Sequence, residues 1–256
     1  SVSVSADGST IATGDDAGEI QIWDGTTGQA RGNYIWHERE VTAVALSPDG
    51  SFVLSGGGKA DGALLLTDLK TGQVIDRFRF RTFNINAIAF TPDGKQVVTA
   101  QGIPGGDDIS DGRVSNLDLL KISLILWDVA TGEPVWKVTD VMVDEQRRDS
   151  INSLAITPDG SKIIGSTGAG SKILIFDRAT GKQIGGLDLE EDGKATQVAM
   201  TPDGKFLAAG TSNKVFVVWD LASGDRVWRS PEQSAQITAV AITANGRYVA
   251  ATAEGE

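Results

Sequence analysis

The chain lacks cysteine altogether and has a single histidine, His37, among its 256 residues. These absences exclude disulfides, thiolate metal sites, cysteine nucleophiles and any multi-histidine metal site. Basic residues are also scarce, since 23 Lys and Arg stand against 34 Asp and Glu and give a formal net charge of -11. A protein that binds the phosphate backbone of a nucleic acid needs a cationic face, so we expect no nucleic-acid partner.

Long apolar runs are missing as well. No run reaches the roughly 18 residues of a membrane helix, and no basic stretch followed by an apolar one opens the chain, so we expect no membrane insertion. The 40% of apolar residues is enough for a folded core. We expect a cytoplasmic protein, and a removed signal segment stays open because the sequence begins at Ser1.

One motif is present in six copies. VALSPDGSFVLS at residues 44–55 recurs at 88–99, 154–165, 198–209 and 240–251, and VSVSADGSTIAT occupies 2–13. The turn glycines of the six copies are Gly8, Gly50, Gly94, Gly160, Gly204 and Gly246. They lie 42, 44, 66, 44 and 42 residues apart, so the third copy carries an insertion.

Each copy has the same internal order. An alternating run such as 41–46 predicts a strand, and the Asp-Gly that follows predicts a tight turn into a second strand. A third run ends in an aspartate that precedes a further glycine by four residues in every complete copy, as in Trp127-Asp128 and Gly132. A fourth, more variable run follows, for example 133–138. Each complete copy therefore predicts four short antiparallel strands, with no helical period.

This arrangement resembles the WD-repeat β-propeller family, and its turn sequences resemble bacterial WD repeats. The resemblance spans the chain and implies an all-β propeller with five complete four-stranded blades and two strands of a sixth. The implied blades are approximately 1–38, 39–82, 83–148, 149–192, 193–234 and 235–256. Because the sixth blade is partial, we expect the chain to belong to a longer, seven-bladed protein or to be completed by another chain.

His37 occupies the position where the family has a structural histidine. The resemblance implies that it contacts Ser55 and Asp61, with Thr67 standing where the family has a tryptophan. We therefore expect a structural role for His37, Ser55 and Asp61. Trp23, Trp127 and Trp219 occupy the core position of the repeat, and the packing of one blade on the next accounts for them. Trp36, Trp136 and Trp228 lie near outer strands, where we also expect packing.

The insertion of the third blade, residues 103–120, is acidic. Asp107, Asp108, Asp111 and Asp118 stand against Arg113. Asp107, Asp111 and Asp118 fit oxygen positions of a twelve-residue calcium loop, but Ile109 fails the third position and flanking helices are absent. A solvated acidic loop is the simpler interpretation, and calcium stays an alternative.

A long exit segment, residues 140–150, follows the same blade and contains Glu145, Arg147 and Arg148. In the family, loops of these two kinds emerge on one face, so the resemblance implies that insertion and exit lie side by side. Binding commonly resides in enlarged loops on a rigid scaffold. We therefore expect Asp107, Asp108, Asp111, Arg113, Asp118, Glu145, Arg147 and Arg148 to contact a partner.

The resulting hypothesis is a non-catalytic scaffold or assembly subunit that binds another protein, or other domains of its own full-length chain, and no small-molecule substrate. Two alternatives remain open. One is a propeller enzyme with a carboxylate-based site in the central channel, since paired carboxylates are not excluded by composition. The other is a calcium-stabilised extracytoplasmic structural module. Fold alone does not decide between them, because propellers support many unrelated functions.

Overall fold

The structure is a computed structural model of the whole chain. It describes residues 1–58, 62–78, 84–102, 122–139, 141, 149–168, 170–243, 246 and 249–253. These residues form 22 β-strands, and a single 3-10 turn at Glu190–Asp192 is the only helical segment that they contain. The chain is therefore all-β, as the repeat predicts.

The strands form five four-stranded antiparallel sheets and one two-stranded sheet, each built from strands consecutive in sequence. The first three sheets are β1 Val2–Val4, β2 Thr10–Gly14, β3 Glu19–Asp24 and β4 Ala30–Ile35; β5 Val41–Leu46, β6 Phe52–Gly57, β7 Leu64–Asp68 and β8 Gln73–Arg77; and β9 Ile85–Phe90, β10 Gln96–Gln101, β11 Ile122–Asp128 and β12 Pro134–Thr139. The next three are β13 Ile151–Ile156, β14 Lys162–Thr167, β15 Lys172–Asp177 and β16 Gln183–Asp188; β17 Ala195–Met200, β18 Phe206–Thr211, β19 Phe216–Asp220 and β20 Arg226–Arg229; and β21 Ile237–Ile242 with β22 Val249–Ala253. Five complete blades and two strands of a sixth are thus confirmed.

A hydroxyl residue organises the turn between the first and second strands of a blade. In blade two, Ser47 Oγ donates to Asp49 Oδ1 at 2.6 Å and accepts the Phe52 amide at 3.0 Å. The Asp49 carboxylate also accepts the amide of Ser51. Gly50 adopts a φ of 68°, in the left-handed region that favours glycine. Local hydrogen bonds therefore explain why Ser or Thr, Asp and Gly recur together.

The invariant spacing after the third strand has a similar cause. In blade two, Asp68 Oδ1 accepts the amides of Lys70 and Thr71 at 2.8 Å each, and the Asp68 carbonyl accepts the Gly72 amide at 2.8 Å. Gly72 has a φ of 70°. The aspartate and the glycine four residues later are two ends of one turn, so neither can shift along the sequence without the other.

The strands fall into two compact units, β1–β12 and β13–β22. In the first unit, one face of each sheet packs on the next sheet. We call the face directed at the following blade the front face and the opposite one the rear face. Ala12, Ile20 and Ile22 on the front face of blade one pack against Val44 and Leu46 on the rear face of blade two. Blade two packs in the same way on blade three through Leu54, Leu64 and Leu66.

The second unit repeats this packing. Ile164 and Ile173 on the front face of blade four contact Val198, Leu207 and Trp219 on the rear face of blade five. Blade five then packs on the two-stranded sheet through residues that include Ala208, Val218 and Val240. The core of each unit consists of these layers between neighbouring sheets, because a single blade could not bury its apolar faces alone.

Polar side chains also join the first strands of neighbouring blades within each unit. Ser1 Oγ accepts the Val44 amide at 2.9 Å, and Gln197 Oε1 accepts the Val240 amide at 2.8 Å. Thr42 Oγ1 donates to the carbonyl of Ile85 at 2.6 Å. Such bonds use backbone groups that an antiparallel pair leaves free at its edge, so they fix the position of one blade against the next.

Candidate interaction surface

The strands that flank the two long segments of blade three end at the same side of their sheet. Ala100, near the end of β10, pairs with Leu124, near the start of β11. Ile122 at the start of β11 pairs with Thr139 at the end of β12. The segment between β10 and β11 and the segment after β12 therefore start from the same end of this sheet.

The side chains expected to contact a partner on these segments lie outside the described residues. They are Asp107, Asp108, Asp111, Arg113, Asp118, Glu145, Arg147 and Arg148. The calcium candidates Asp107, Asp111 and Asp118 are among them, and Asp61 of the expected histidine network lies outside as well. Their roles stay predictions.

The single histidine forms a buried pair with a serine. His37 Nε2 lies 2.8 Å from Ser55 Oγ, and Ser55 Oγ also donates to the Leu65 carbonyl at 3.5 Å. Both side chains are buried. A serine beside a histidine is the chemistry of a nucleophile and its base, but a substrate could not reach this pair without unfolding the blade. Thr67 Oγ1, at the tryptophan position, is buried with no hydrogen-bond partner among the described residues.

Tryptophans at the end of the third strands use the position equivalent to Ser55. Trp127 Nε1 donates to Thr99 Oγ1 at 2.9 Å, and Trp23 Nε1 donates to Thr13 Oγ1 at 3.1 Å. Blade four has Phe176, which has no N–H, and the matching second-strand residue is Gly165. In blades one, two and three a hydroxyl at this position therefore meets an indole or imidazole nitrogen.

The three other tryptophans lie closer to solvent. Trp36 is half-buried and stacks on Tyr34 with ring centroids 4.4 Å apart. Trp136 on β12 is also half-buried. Trp228 is exposed and tilts over Phe216 at 5.0 Å. Each of the two described ring pairs covers part of an outer strand.

Two open grooves lie between neighbouring blades, and their charges differ. The groove between blades one and two has a volume of about 270 Å³, and its charged lining residues are Arg31 and Lys70. The groove between blades four and five has a volume of about 500 Å³ and is lined by Asp188, Glu190, Asp225 and Arg226. Arg31 forms an ion pair with Asp24. Both grooves offer polar contact surfaces rather than enclosed sites.

A buried carboxylate joins blade four to blade five. Asp192, just before β17, has no exposed surface, and its Oδ1 accepts a hydrogen bond of 2.6 Å from Arg229 Nε. Its Oδ2 lies 2.9 Å from Arg226 Nη1 without hydrogen-bond geometry, so this second contact is an ion pair. The hydrogen bond to Asp192 raises the pKa of Arg229 above its usual value. The two arginines stabilise the buried charge of Asp192, and the carboxylate is not accessible to a ligand.

The aspartates of the turns are held ionised. The side-chain hydrogen bond from Ser5 lowers the pKa of Asp7 to about 2, and that from Thr157 does the same for Asp159. The amide of Thr27 lowers the pKa of Asp24 to about 2. A general acid at neutral pH needs a raised pKa, so these carboxylates are suited to turns and not to proton donation.

Two sets of residues were not singled out from the sequence. The hydroxyl residues of the turns were detectable, because Ser or Thr stands three residues before every turn glycine; they are Ser5, Ser47, Thr91, Thr157, Thr201 and Thr243. The contacts of Asp192 with Arg226 and Arg229 were not, because the partners are 34 or more residues away in sequence.

In the described part of the chain, no group of three or more His, Asp or Glu side chains could hold a metal ion. The same residues contain no helix long and apolar enough to cross a membrane.

Three segments of the chain match the WD40 family, described as WD domain, G-beta repeat. They are residues 1–24, 28–68 and 183–220, which fall in blades one, two, four and five. The repeat, the aromatic-aspartate pairs and the four-stranded sheets agree with this match.

Two curated proteins are similar to the chain. The periodic tryptophan protein 2 homolog of Dictyostelium discoideum is 27% identical over 277 aligned residues, which cover 86% of this chain and 28% of that protein. The WD repeat-containing protein 1 of Xenopus tropicalis is 30% identical over 96 residues, which cover 37% of this chain and 15% of that protein. The chain thus spans less than a third of either relative. Both organisms are eukaryotes, so these relatives do not support the expected bacterial type of repeat.

Proposed function

Because three segments of this chain match the WD40 family, we propose that it is a non-catalytic interaction scaffold that binds a partner protein through blade three. The contact surface consists of the segment between β10 and β11 and the segment between β12 and β13. The partner is another protein or another domain of a longer chain. Both similar proteins are WD-repeat proteins, which supports an interaction or assembly role at the level of the family.

The register of the flanking strands is the observation that carries this proposal. Since Ile122 pairs with Thr139 and Ala100 pairs with Leu124, the first segment begins and ends, and the second segment begins, at the same end of the blade three sheet. Strands β10 and β11 are largely buried, so the base of the surface is rigid. Long loops on a rigid base are suited to recognition. Together the two segments contain both acidic and basic side chains, and we expect the partner surface to be polar.

The chemistry of the described residues supports a non-catalytic role. His37, the one histidine of the sequence, is buried against Ser55. The turn aspartates whose pKa is lowered are spread over the blades, and each is engaged by neighbouring amides and hydroxyls. The buried pair is out of reach of a substrate, and the turn aspartates, with their lowered pKa, are not suited to donate a proton at neutral pH.

Affinity purification with the intact chain as bait, followed by quantitative mass spectrometry, tests the proposal. The test variant replaces residues 104–119 with a short Gly-Ser linker. We expect it to fold like the unaltered chain, since all four described strands of blade three are retained, and to lose a defined set of captured proteins. If the deletion variant captures the same set with the same yield, blade three is not the contact surface.

A variant that removes charges but keeps the length of the insertion distinguishes the effect of the acidic side chains from the effect of deleting the loop. Asp107→Asn, Asp111→Asn and Asp118→Asn remove three charges from the insertion, and Asp16→Asn, Glu38→Gln and Asp225→Asn remove three from exposed positions elsewhere. We expect only the first variant to weaken capture. The same pair tests the calcium alternative by calorimetry, because a calcium site at these aspartates predicts binding heat that the first variant alone abolishes.

A further inference from the structure

Comparison of the blades identifies two charged side chains that the repeat does not explain. Three residues after the third-strand turn glycine, blade one has Arg31. The other complete blades have a β-branched apolar residue there, 50–55% exposed, and these are Ile75, Val135, Ile184 and Val227. Two residues before the same glycine, blade two has Lys70. The matching residues of the other blades are uncharged, namely Thr26, Ala130, Ala179 and Ala222.

The two charged residues belong to different blades, but they line the same groove of about 270 Å³. Lys70 is exposed, and its ammonium has no ion-pair partner among the described residues. Arg31 is held by Asp24, whose Oδ2 accepts a hydrogen bond of 3.1 Å from Arg31 Nε. Arg31 Nη1 makes only a weak contact of 3.5 Å with Thr10 Oγ1. Lys70 and Arg31 Nη1 can therefore still donate to a ligand.

A tyrosine supplies a third polar group in this groove. Tyr34 on β4 stacks on Trp36, which fixes the plane of its ring. A Cβ at Gly32 would lie 2.7 Å from Tyr34 Oη, and a Cβ at Gly72 would lie 2.9 Å from Tyr34 Cε1. The ring thus reaches from the outer strand of blade one to the turn of blade two. Its hydroxyl has no hydrogen-bond partner in the part of the chain that the structure describes.

The charges around the groove favour a carboxylate over a phosphate as the ligand group. Asp24 pairs with Arg31, and Asp68 accepts the amide of Lys70. Both carboxyls have a lowered pKa, chiefly because they accept the amides of Thr27 and Thr71. The two aspartates cancel the two cations. A phosphate near its dianionic form would therefore bring excess negative charge toward them, whereas a carboxylate brings one charge to the free ammonium.

We propose that the groove between blades one and two binds a carboxylate side chain from an extended acidic segment of a partner protein. The carboxylate accepts hydrogen bonds from the Lys70 ammonium, Arg31 Nη1 and the Tyr34 hydroxyl. Its methylene groups pack on Ile22 and Leu69, which also line the groove. The groove between blades four and five has three acidic residues and one arginine, so it repels the same segment. This contact is additional to the proposed surface on blade three.

Fluorescence anisotropy with labelled octapeptide pools tests the proposal on the intact chain. Every pool has mixed uncharged residues at seven positions, and the fourth position is glutamate, glutamine or phosphoserine. We expect the glutamate pool to bind most tightly. Its binding should weaken as salt is added, because Lys70 and Arg31 are accessible to solvent.

The main variant, Arg31→Ile with Lys70→Ala, gives both positions residue types that other blades have, so we expect it to fold like the unaltered chain. It should bind the glutamate pool at least about tenfold more weakly, because it loses charge-assisted hydrogen bonds. Tyr34→Phe keeps the ring and should weaken binding roughly threefold to tenfold, since it loses one hydroxyl contact. The control, Lys95→Ala with Lys182→Ala, removes two exposed positive charges elsewhere and should bind like the unaltered chain.

Several results would overturn the proposal. One is equal affinity for the glutamate and glutamine pools, and another is a control weakened as much as the main variant. Tighter binding of the phosphoserine pool would make the groove a phosphopeptide site instead. Cosedimentation with phosphatidylserine vesicles that the main variant loses, without a preference for the glutamate pool, would indicate a lipid surface. Because none of these variants alters blade three, failure here leaves the proposed partner surface untouched.

Discussion

The rear faces of blades one and two have nearly the same sequence and very different surroundings. Val2 and Val4 in the first and Val44 and Leu46 in the second stand at the same places of one repeat. The second pair is buried under the preceding blade, and the first is not. The comparison shows that burial in this molecule depends on the neighbouring blade. The contribution of a side chain to the stability of the fold therefore cannot be inferred from its own repeat alone.

Truncation of matching residues should give the largest contrast. Leu46→Ala removes buried methyl groups and should lower the free energy of unfolding by about 2–5 kcal/mol. Val4→Ala, at the matching uncovered position, should lower it by less than about 0.5 kcal/mol. Urea unfolding followed by tryptophan fluorescence measures both at a low protein concentration. Equal losses would remove the distinction between the two faces.

Asp192 extends the comparison to polar contacts at a covered interface. Asp192→Asn removes a buried charge that contacts Arg226 and Arg229. Breaking a fully buried pair costs about 3–5 kcal/mol; since both arginines keep solvent access, we expect a somewhat smaller loss. The matched control is Asp188→Asn, whose ion pair with Lys172 is exposed, and exposed pairs contribute about 0–1 kcal/mol. A control that is as destabilised as Asp192→Asn would contradict the role of burial.

The hydrogen bonds of the tryptophan indoles allow the same comparison of a buried with a half-buried contact, with a smaller expected loss of stability. Thr99→Val removes the hydroxyl that accepts from the buried Trp127 Nε1, and Gln101 also loses its contact with the threonine. Removing one partner of a buried hydrogen bond costs about 1–3 kcal/mol. Thr13→Val should cost less, because water can reach the half-buried Trp23. The difference in chemical unfolding between the two variants is the quantity of interest, and an equal loss would indicate that Trp23 is as enclosed as Trp127.

Acid stability should not distinguish the turn of blade one from that of blade four. Asp7 in blade one and Asp159 in blade four both have a pKa of about 2, lowered mainly by side-chain hydrogen bonds from Ser5 and Thr157. Each folded-state pKa is below the unfolded value of about 3.9, so the stabilisation is present above pH 4 and disappears as the pH falls toward 2. Unfolding of Asp7→Asn and Asp159→Asn between pH 3 and 7 should show the gap to the unaltered chain closing below pH 4. A gap that closes for only one variant would show that the turns are not equivalent.

The strands and turns of this fold could be predicted from the sequence, because residues close together in the chain determine them. The strand predicted at 41–46 is β5, and the fourth strand predicted at 133–138 is β12 at 134–139. Both depend on alternation and on turns closed within a few residues, such as the Asp68 turn. The number of blades followed from the period alone.

Contacts between blades could not be predicted in the same way. Glu190, Glu191 and Asp192 form one acidic run, and only the third is buried against arginines from the next outer strand. The sequence likewise does not distinguish Val2 from Val44, because what covers them is a neighbouring sheet. The candidate surface of blade three was found only as a break in the repeat, which identifies a segment but not its geometry.

The absence of cysteine makes the central comparison directly measurable. Val4→Cys and Leu46→Cys each introduce one thiol into a chain that has no other, so the labelling rate by a thiol reagent reports one position. At submicromolar protein concentration we expect Val4→Cys to react at nearly the rate of a free thiol, and Leu46→Cys to react only through unfolding, orders of magnitude more slowly. Similar rates at the two positions would contradict the account, because the two rear faces would then be covered, or uncovered, alike.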